Sequence, residues 1–484
     1  VKVHDKLFIG GDWVTPDGTG TIEVISPFTE EVFASVPDST TGDVDRAVAA
    51  AREAFDSGPW PRMTPAERAD VLAKLSEILT GRVDEIAATI TGEMGSPLNF
   101  STMGQAFAPI MILNYYVDLA KTFAFEELRQ GVMGPALVLR EPVGVVGAIV
   151  PWNVPMFVTM TKLAPALAAG CTMVLKPAPE TPLDAILLAD ALTEAGVPKG
   201  VVNIVPAGRE VGEHIVTHPG IDKIAFTGST AAGKKIASLA GAQLKRVSLE
   251  LGGKSAAIIL DAAGLENYVN QITFASLMNN GQACVAQTRI LASRDQYDTV
   301  VEAITEKMRG LTVGDPMDMA TDIGPLVASR QRDRVEGYIK LGQEEGAKIT
   351  IGGGRPAGQD RGWFVEPTLF ANVENSMRIA QEEIFGPVIA VIPFDDEADA
   401  VRIANDSVYG LAGTVWTADV EHGIGIARQV RTGTYTVNGM MLEFGAPFGG
   451  YKESGLGREL GPEGLSTYLE YKSVSLPAGY EPPA

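Results

Sequence analysis

The chain has 484 residues, more than the ~100–200 usual for one domain, and so implies roughly two to four domains. An apolar fraction of 45% permits large cores, and 53 glycines fit an α/β enzyme rich in tight turns. Asp and Glu (60) outnumber Lys and Arg (39), for a net charge of −21. That field, with no dense Lys/Arg run, argues against nucleic acid as a partner.

Two cysteines cannot build a disulfide framework, and their rarity fits a reducing, cytoplasmic compartment. The first residues, Val1 to Lys6, show no apolar signal-peptide core. Residues 43–56 and 65–96 carry helical periodicity. Residues 131–141 read as a strand apart from any main sheet. From 144 onward, short apolar runs alternate with helical segments. Strands are expected at 145–150, 173–176, 201–205, 223–227 and 246–250. Helices are expected near 155–169, 182–195, 209–217 and 229–240. This is the βαβα pattern of a parallel sheet covered on both faces. A second alternating region runs from about 255 to 450, with strands at 388–393 and 434–437, and the tail 468–475 reads as an edge strand. The strands at 131–141 and 468–475 suit either a local hairpin or extension of a neighbouring subunit's sheet. Residues 142–161 are uncharged over a membrane-spanning length, but Pro142, Pro151 and Pro155 would break a continuous helix, so no membrane partner is expected.

The motifs, taken singly, leave alternatives open. Pro151-Trp152-Asn153-Val154-Pro155 puts an amide at a strand-to-helix turn, where it can serve an oxyanion or cap a helix. Lys176-Pro177-Ala178-Pro179-Glu180 follows a strand end, where open α/β sheets bind ligands, although a surface lysine is equally ordinary there. Phe226-Thr227-Gly228-Ser229 precedes Gly233-Lys234-Lys235. Lys235 stands where a P-loop needs Ser or Thr, so a nucleotide triphosphatase fails on its metal. What remains is a helix N-terminus fit for phosphate, or a plain serine cap. No Gly-x-Gly-x-x-Gly follows any expected strand. Glu250 ends a strand before Gly252-Gly253, where desolvation would raise it toward general-base range. Cys284 follows Asn279-Asn280-Gly281-Gln282, polar and permissive company for a cysteine, whereas Cys171 reads as a small buried hydrophobe.

Together these motifs, with Glu382-Glu383-Ile384-Phe385-Gly386-Pro387-Val388, Pro447-Phe448-Gly449-Gly450-Tyr451-Lys452 and Gly457-Arg458-Glu459, resemble the NAD(P)-dependent aldehyde dehydrogenase superfamily across essentially the whole chain. The resemblance implies an α/β fold: a Rossmann-like open parallel-sheet cofactor domain, an α/β catalytic domain and a small β oligomerisation element. The expected bounds are 1–123 with 143–252, then 253–453, then 124–142 with 454–484. It implies that Cys284 is the nucleophile, that Asn153 with the Cys284 N–H stabilises the oxyanion, and that Glu250 activates water to hydrolyse the thioester. Lys162 and Glu459 match proton-relay positions. Lys176 resembles the adenosine-ribose ligand, Ser229 the pyrophosphate ligand, and Glu383 and Phe385 the nicotinamide-side contacts. Val150, Pro151, Trp152, Ala178, Pro179, Glu180, Gly208, Gly212, Phe226, Thr227, Gly228, Leu251, Gly252 and Gln331 complete the expected cofactor surface.

Pro179 departs from the acidic residue of many NAD-preferring members. NAD is favoured; NADP stays possible, with Arg209 near. Val154, Val158, Thr161, Ala283, Val285, Phe448 and either Leu442 or Phe444 outline a largely apolar pocket. No arginine is placed for a carboxylate and no aromatic box is evident, so an aliphatic, terpenoid or aromatic aldehyde is expected. A Cys-His thioesterase lacks a histidine in any suitable motif, a scaffold that has lost its chemistry conflicts with the retained Cys284, Glu250 and Asn153, and the scattered Cys and His do not suggest a metal. The resemblance implies a homodimer or homotetramer.

Overall fold

The computed structural model describes residues 2–261 and 264–480; Val1 and the last four residues of the 454–484 segment lie outside the described residues. Five parallel strands form the heart of the first sheet, in the order Arg246–Glu250, Lys223–Thr227, Val145–Ile149, Thr172–Lys176, Val202–Ile204. Val145–Ile149 and Thr172–Lys176 are buried along their whole length, as strands covered by helices on both faces must be. Helices Pro155–Ala169, Leu183–Ala195, Arg209–Thr217 and Thr230–Gly241 make the crossovers. Each expected strand and helix of this region is present within one or two residues.

Short antiparallel strands finish both edges. Leu7–Ile9 and Asp12–Val14 extend one side, and Gly455–Leu456 pairs with Arg246–Glu250 on the other. The segment from 454 therefore begins inside the first sheet and only later joins the separate strands.

The second sheet has seven strands, parallel except for its edge pair Lys348–Ile351 and Thr368–Ala371. Its centre is Val388–Phe394, Arg289–Ser293, Ala256–Ile259 and Gly413–Trp416. A third, antiparallel sheet joins Leu469–Ser475, Ala136–Pro142 and Glu126–Arg129, with seven register pairs between the first two strands.

Three expectations are corrected in detail. The periodic run 65–96 is two helices, Pro65–Thr80 and Val83–Met94, because Gly81 terminates the first with its N–H on Glu77 O. The strand expected from 131 starts at Ala136, since 131–134 turn with Gly134 at φ +129°. The strand expected at 434–437 is only Thr436–Val437. Among the described residues no helix is long and apolar enough to cross a membrane, and 142–161 splits into a strand end, a turn and a proline-started helix.

Candidate active site

The carboxyl ends of the first sheet face the second sheet across a cleft of about 260 Å³. Pro151, Trp152, Asn153, Val154, Val158, Thr227, Gly228, Ser229, Leu251, Gly252, Gln331, Glu383 and Phe385 line it, together with Cys284. Twelve of these positions come from five motifs, up to 234 residues apart in sequence, and they meet on one surface with Val158 and Gln331. Ligand binding beyond the strand ends is what an open α/β sheet favours.

Cys284 is delivered by a compressed loop. Asn279, Asn280 and Gly281 all have left-handed backbones, at φ +57°, +61° and +73°. Two consecutive non-glycine residues in that region are costly and need outside support. Asn280 supplies it: its amide donates to Gly95 O and Pro325 O, and its oxygen accepts from Gly324 N at 2.7 Å. Asn279 donates to Asn153 O at 2.8 Å and Gln282 O at 3.0 Å. A Cβ at Gly281 would lie 2.1 Å from Gly386 O, and one at Gly253 would lie 2.3 Å from Cys284 O. Only glycines let the thiol-bearing loop pass between the two sheets.

Cys284 is half-buried, and its thiol is pushed up to about 12 by burial first, then by Glu383 and Glu250. Only the backbone N–H groups of Cys284 and Val285 work the other way on the thiol. Asn153 is buried and donates through Nδ2 to Gln282 O at 3.0 Å, so its amide belongs to the cysteine loop.

Glu250 is buried and neither carboxylate oxygen has a hydrogen-bond partner. Burial raises it well above the ordinary carboxylate range; Glu459 adds to this, and Lys162 and Arg458 oppose it. A Cβ at Gly449 would lie 2.7 Å from Glu250 Oε1. Lys162 Nζ donates to Glu459 Oε1 at 2.5 Å and to Thr227 Oγ1 at 2.6 Å, wholly out of solvent. Glu459 is fixed by reciprocal backbone bonds with Phe448.

On the cofactor side, Lys176 is buried and donates to Pro177 O at 3.0 Å and Ala207 O at 2.7 Å; burial lowers its ammonium to about 8. Gly212 lies against it, since a Cβ there would be 3.4 Å from Lys176 Cε. Ser229 caps helix Thr230–Gly241 by accepting from Ala232 N at 3.3 Å, and it also faces the cleft; the two readings of that serine coexist. Glu383, raised to about 7 chiefly by burial, accepts from Gly253 N at 2.9 Å, and a Cβ at Gly252 would lie 2.6 Å from its Oε2. Phe385 is held at φ +65° with its ring edge-on to Trp152 at 5.4 Å, and Gln331 Nε2 grips its carbonyl at 2.7 Å. Glu180 is turned away into an ion pair with Arg330. Gly208 precedes helix Arg209–Thr217, and Arg209 is exposed.

Several expected residues support the cleft without lining it. Val150 donates its N–H to Lys176 O, Ala178 is buried, and Phe226 lies under Gly228. Thr161 spends its hydroxyl on Val158 O within its own helix. Val285 and Phe448 are buried, and Ala283 is half-buried against the large core. Sequence reasoning missed Arg334, which lines the cleft and donates to Glu383 O at 2.6 Å. Phe157 is outside the cleft lining and packs against the core, its ring 6.4 Å from that of Phe444. Arg334 was open to detection through helical spacing, being three residues from the expected Gln331 on helix Ser329–Glu344.

Among the described residues, Asp45, His214 and His218 draw together away from the cleft. Gly220 N–H donates to Nδ1 of His218 at 3.0 Å, which leaves the ring proton on Nε2, facing Asp45 at 3.3 Å. The trio is a hydrogen-bonded link between two helices.

A cysteine held beside a buried, unpartnered carboxylate, opposite a helix N-terminus, reproduces the constellation the motifs suggested. The family model for the aldehyde dehydrogenase family matches residues 13–474. The chain belongs to the aldehyde dehydrogenase family. It is 48% identical to geranial dehydrogenase of Castellaniella defragrans, over 98% of this chain and 99% of that one. The structure of a Mycobacterium tuberculosis aldehyde dehydrogenase complexed with NAD+ superposes with a TM-score of 0.98 at 52% identity, covering 99% of both chains. Aldehyde dehydrogenase C of Pseudomonas syringae, complexed as a mutant with NAD+ and octanal, gives 0.95 at 40% identity over 98% of both chains. The aldehyde dehydrogenase fold and the enzyme class follow.

Proposed function

We propose that this aldehyde dehydrogenase oxidises an uncharged apolar aldehyde, aliphatic, terpenoid or aromatic, to its carboxylic acid with NAD+. The observation that carries the reading is the cleft itself, where Cys284 is bordered by apolar Val154 and Val158 on one side and by Ser229, Gly252 and Glu383 on the other. The chain fits a dinucleotide: Gly212 leaves room over Lys176, Gly252 leaves room beside Glu383, and Gly228-Ser229 opens a helix N-terminus into the cleft. When bound, NAD+ supplies a hydride acceptor and a positive ring.

The residues divide the work. The Cys284 thiol loses its proton to solvent water in the cleft, the thiolate adds to the aldehyde carbon, and the Asn153 amide with the Cys284 N–H holds the resulting oxyanion. After oxidation, the thioester on Cys284 needs water. Glu250, whose oxygens carry no other hydrogen bond, takes a proton from that water while it attacks the acyl carbon, and the Cys284 sulfur leaves. Lys162 and Glu459, bonded to each other, move that proton on.

The relatives support the same reading: one bears the name geranial dehydrogenase, and another is complexed with octanal and NAD+. The protein works as a cytoplasmic homodimer or homotetramer, divided into cofactor, catalytic and oligomerisation parts around the eight-stranded, the seven-stranded and the third sheet described above.

The deciding experiment follows NADH fluorescence with geranial or octanal, using NAD+ and NADP+ side by side, for wild type and Cys284→Ala. Signal in wild type alone supports the reading. Equal signal in both proteins removes Cys284 from the chemistry, and no signal across an aldehyde panel overturns the substrate class. Pro179 carries no carboxylate and Glu180 is held by Arg330, so NADP+ gives a weaker but measurable trace.

A further inference from the structure

The second sheet buries two cationic side chains that form no ion pair. Strand register sets Arg289 and Gly413 on either side of Ala256, at the amino ends of three parallel strands. Lys254 and Ser255 lead into the middle strand, and the chain from Tyr409 leads into the strand that starts at Gly413. A cavity of about 10 Å³ lies among them, lined by Lys254, Ser255, Arg289, Tyr409, Thr432 and the 410–413 segment. Such a volume suits one atom-sized occupant. Lys254 and Arg289 are each only 2% exposed. Arg289 spends four of its N–H groups on Lys254 O, Asn375 Oδ1, Ile403 O and Ala404 O, all uncharged, which leaves one on Nη2 to spare. Among the described residues Lys254 Nζ has neither a hydrogen-bond acceptor nor an ion pair. The buried Ser255 hydroxyl is unpartnered too. The carboxylates that act on the two cations are committed elsewhere: Asp406 accepts from Asn375, Glu383 from Gly253 N–H, and Glu382 from Arg378 and Tyr338. Burial, then Arg289, pushes the Lys254 ammonium down to about 7, and Arg334 adds to this. A buried cation persists only with a counter-charge, or gives up its proton.

We propose that this cavity is a halide site, in which one chloride ion accepts from the Lys254 ammonium and the Ser255 hydroxyl beside the Arg289 guanidinium. A monoatomic anion is the class that fits. A carboxylate or a phosphate exceeds the cavity, and water brings no charge to offset two cations. The ion keeps Lys254 protonated and ties the lead-in of the middle strand to its two neighbours. It also acts at one remove on the cofactor side of the cleft, because Gly253, next in the chain to Lys254, donates its N–H to Glu383.

The test uses the full chain as wild type, Lys254→Met and Ser255→Ala. Crystals soaked in sodium bromide are measured at the bromine absorption edge, and Tm is followed in sodium chloride, bromide and gluconate at matched ionic strength. A bromine peak is expected in the cavity, within hydrogen-bond reach of Lys254 Nζ and Ser255 Oγ. Chloride and bromide should raise the wild-type Tm by about 1–3 °C over gluconate, because an ion that binds only the folded chain stabilises it. Lys254→Met should lose that increment, and Ser255→Ala should keep part of it. If one variant does not fold, the other and the bromine map carry the comparison. A cavity without a bromine peak overturns the proposal and leaves Lys254 a neutral amine. A peak without a halide-specific rise in Tm marks an adventitious ion only and overturns it as well. A rise that persists undiminished in Lys254→Met places the halide effect elsewhere on the molecule, with the same consequence.

Discussion

At the scale of single residues, the site is a balance between charges that lack partners. Cys284 at about 12 is a thiol in neutral solution, because burial and two carboxylates oppose its ionisation. Alkylation by iodoacetamide at pH 7.5 is therefore expected to be at least tenfold slower than for an exposed cysteine, and to quicken when NAD+ brings its positive ring; mass spectrometry of the modified peptide reads both. An equal rate with and without NAD+ would contradict this. Glu250→Gln should keep one NADH per active site in the first turnover but lose ~10²–10³-fold in steady state, since only hydrolysis needs the base. Gly449→Ala is expected to act the same way, by ~10-fold or more, because its Cβ would press on Glu250 Oε1 at 2.7 Å. Loss of the first turnover in either variant would place the defect before hydrolysis.

At the scale of elements, strand ends and helix starts hold these groups, and one helix start carries a pH liability. Glu93, in the last turn of Val83–Met94, accepts from Leu183 N at 2.9 Å and Asp184 N at 3.4 Å, capping a helix whose own N-cap, Pro182, offers no side chain. Asp184 is buried beside it with neither oxygen partnered, and burial raises it to about 7. Its unfolded value is near 4, so between pH 4 and 7 the folded chain keeps a proton that the unfolded chain has released, and stability falls as pH rises through that window. The Tm of Asp184→Asn relative to wild type should thus improve by several degrees from pH 5 to pH 8; an unchanged difference would show that Asp184 does not titrate in this way. The parallel strands and crossovers were legible in sequence because each buried strand is a short apolar run and each helix keeps one period. The cysteine loop was legible as a motif, whereas its three left-handed residues were not, because they depend on Asn280 reaching Gly95 and Pro325 across the fold. For Arg334 the only local signal was its spacing of three from Gln331, since its hold on the Glu383–Phe385 turn lies 50 residues on.

At the scale of the molecule, the third sheet is rooted in the first core through Leu469 and leaves it toward the tip. Its edges, Glu126–Arg129 and Leu469–Ser475, have unpaired strand sides, and the turn between its strands carries Val132 and Met133 fully exposed, at 104% and 95%. Open edges and a bare apolar tip are liabilities in a monomer unless another surface covers them. The sequence left a local hairpin and a subunit contact as equal readings of these strands; the seven-pair match of Leu469–Ser475 to Ala136–Pro142 shows that the sheet forms within one chain, and the exposed tip favours contact through it. Light scattering on wild type should give two or four times the chain mass of 51.2 kDa. Val132→Asp with Met133→Asp should shift the population toward the single-chain mass, because two carboxylates cannot be buried there without partners. Circular dichroism should be unaltered, since neither residue packs in its own chain. A wild type that stays at 51.2 kDa at micromolar concentration would leave this sheet as an internal brace that ties the tail to the cofactor half, with its tip open to water.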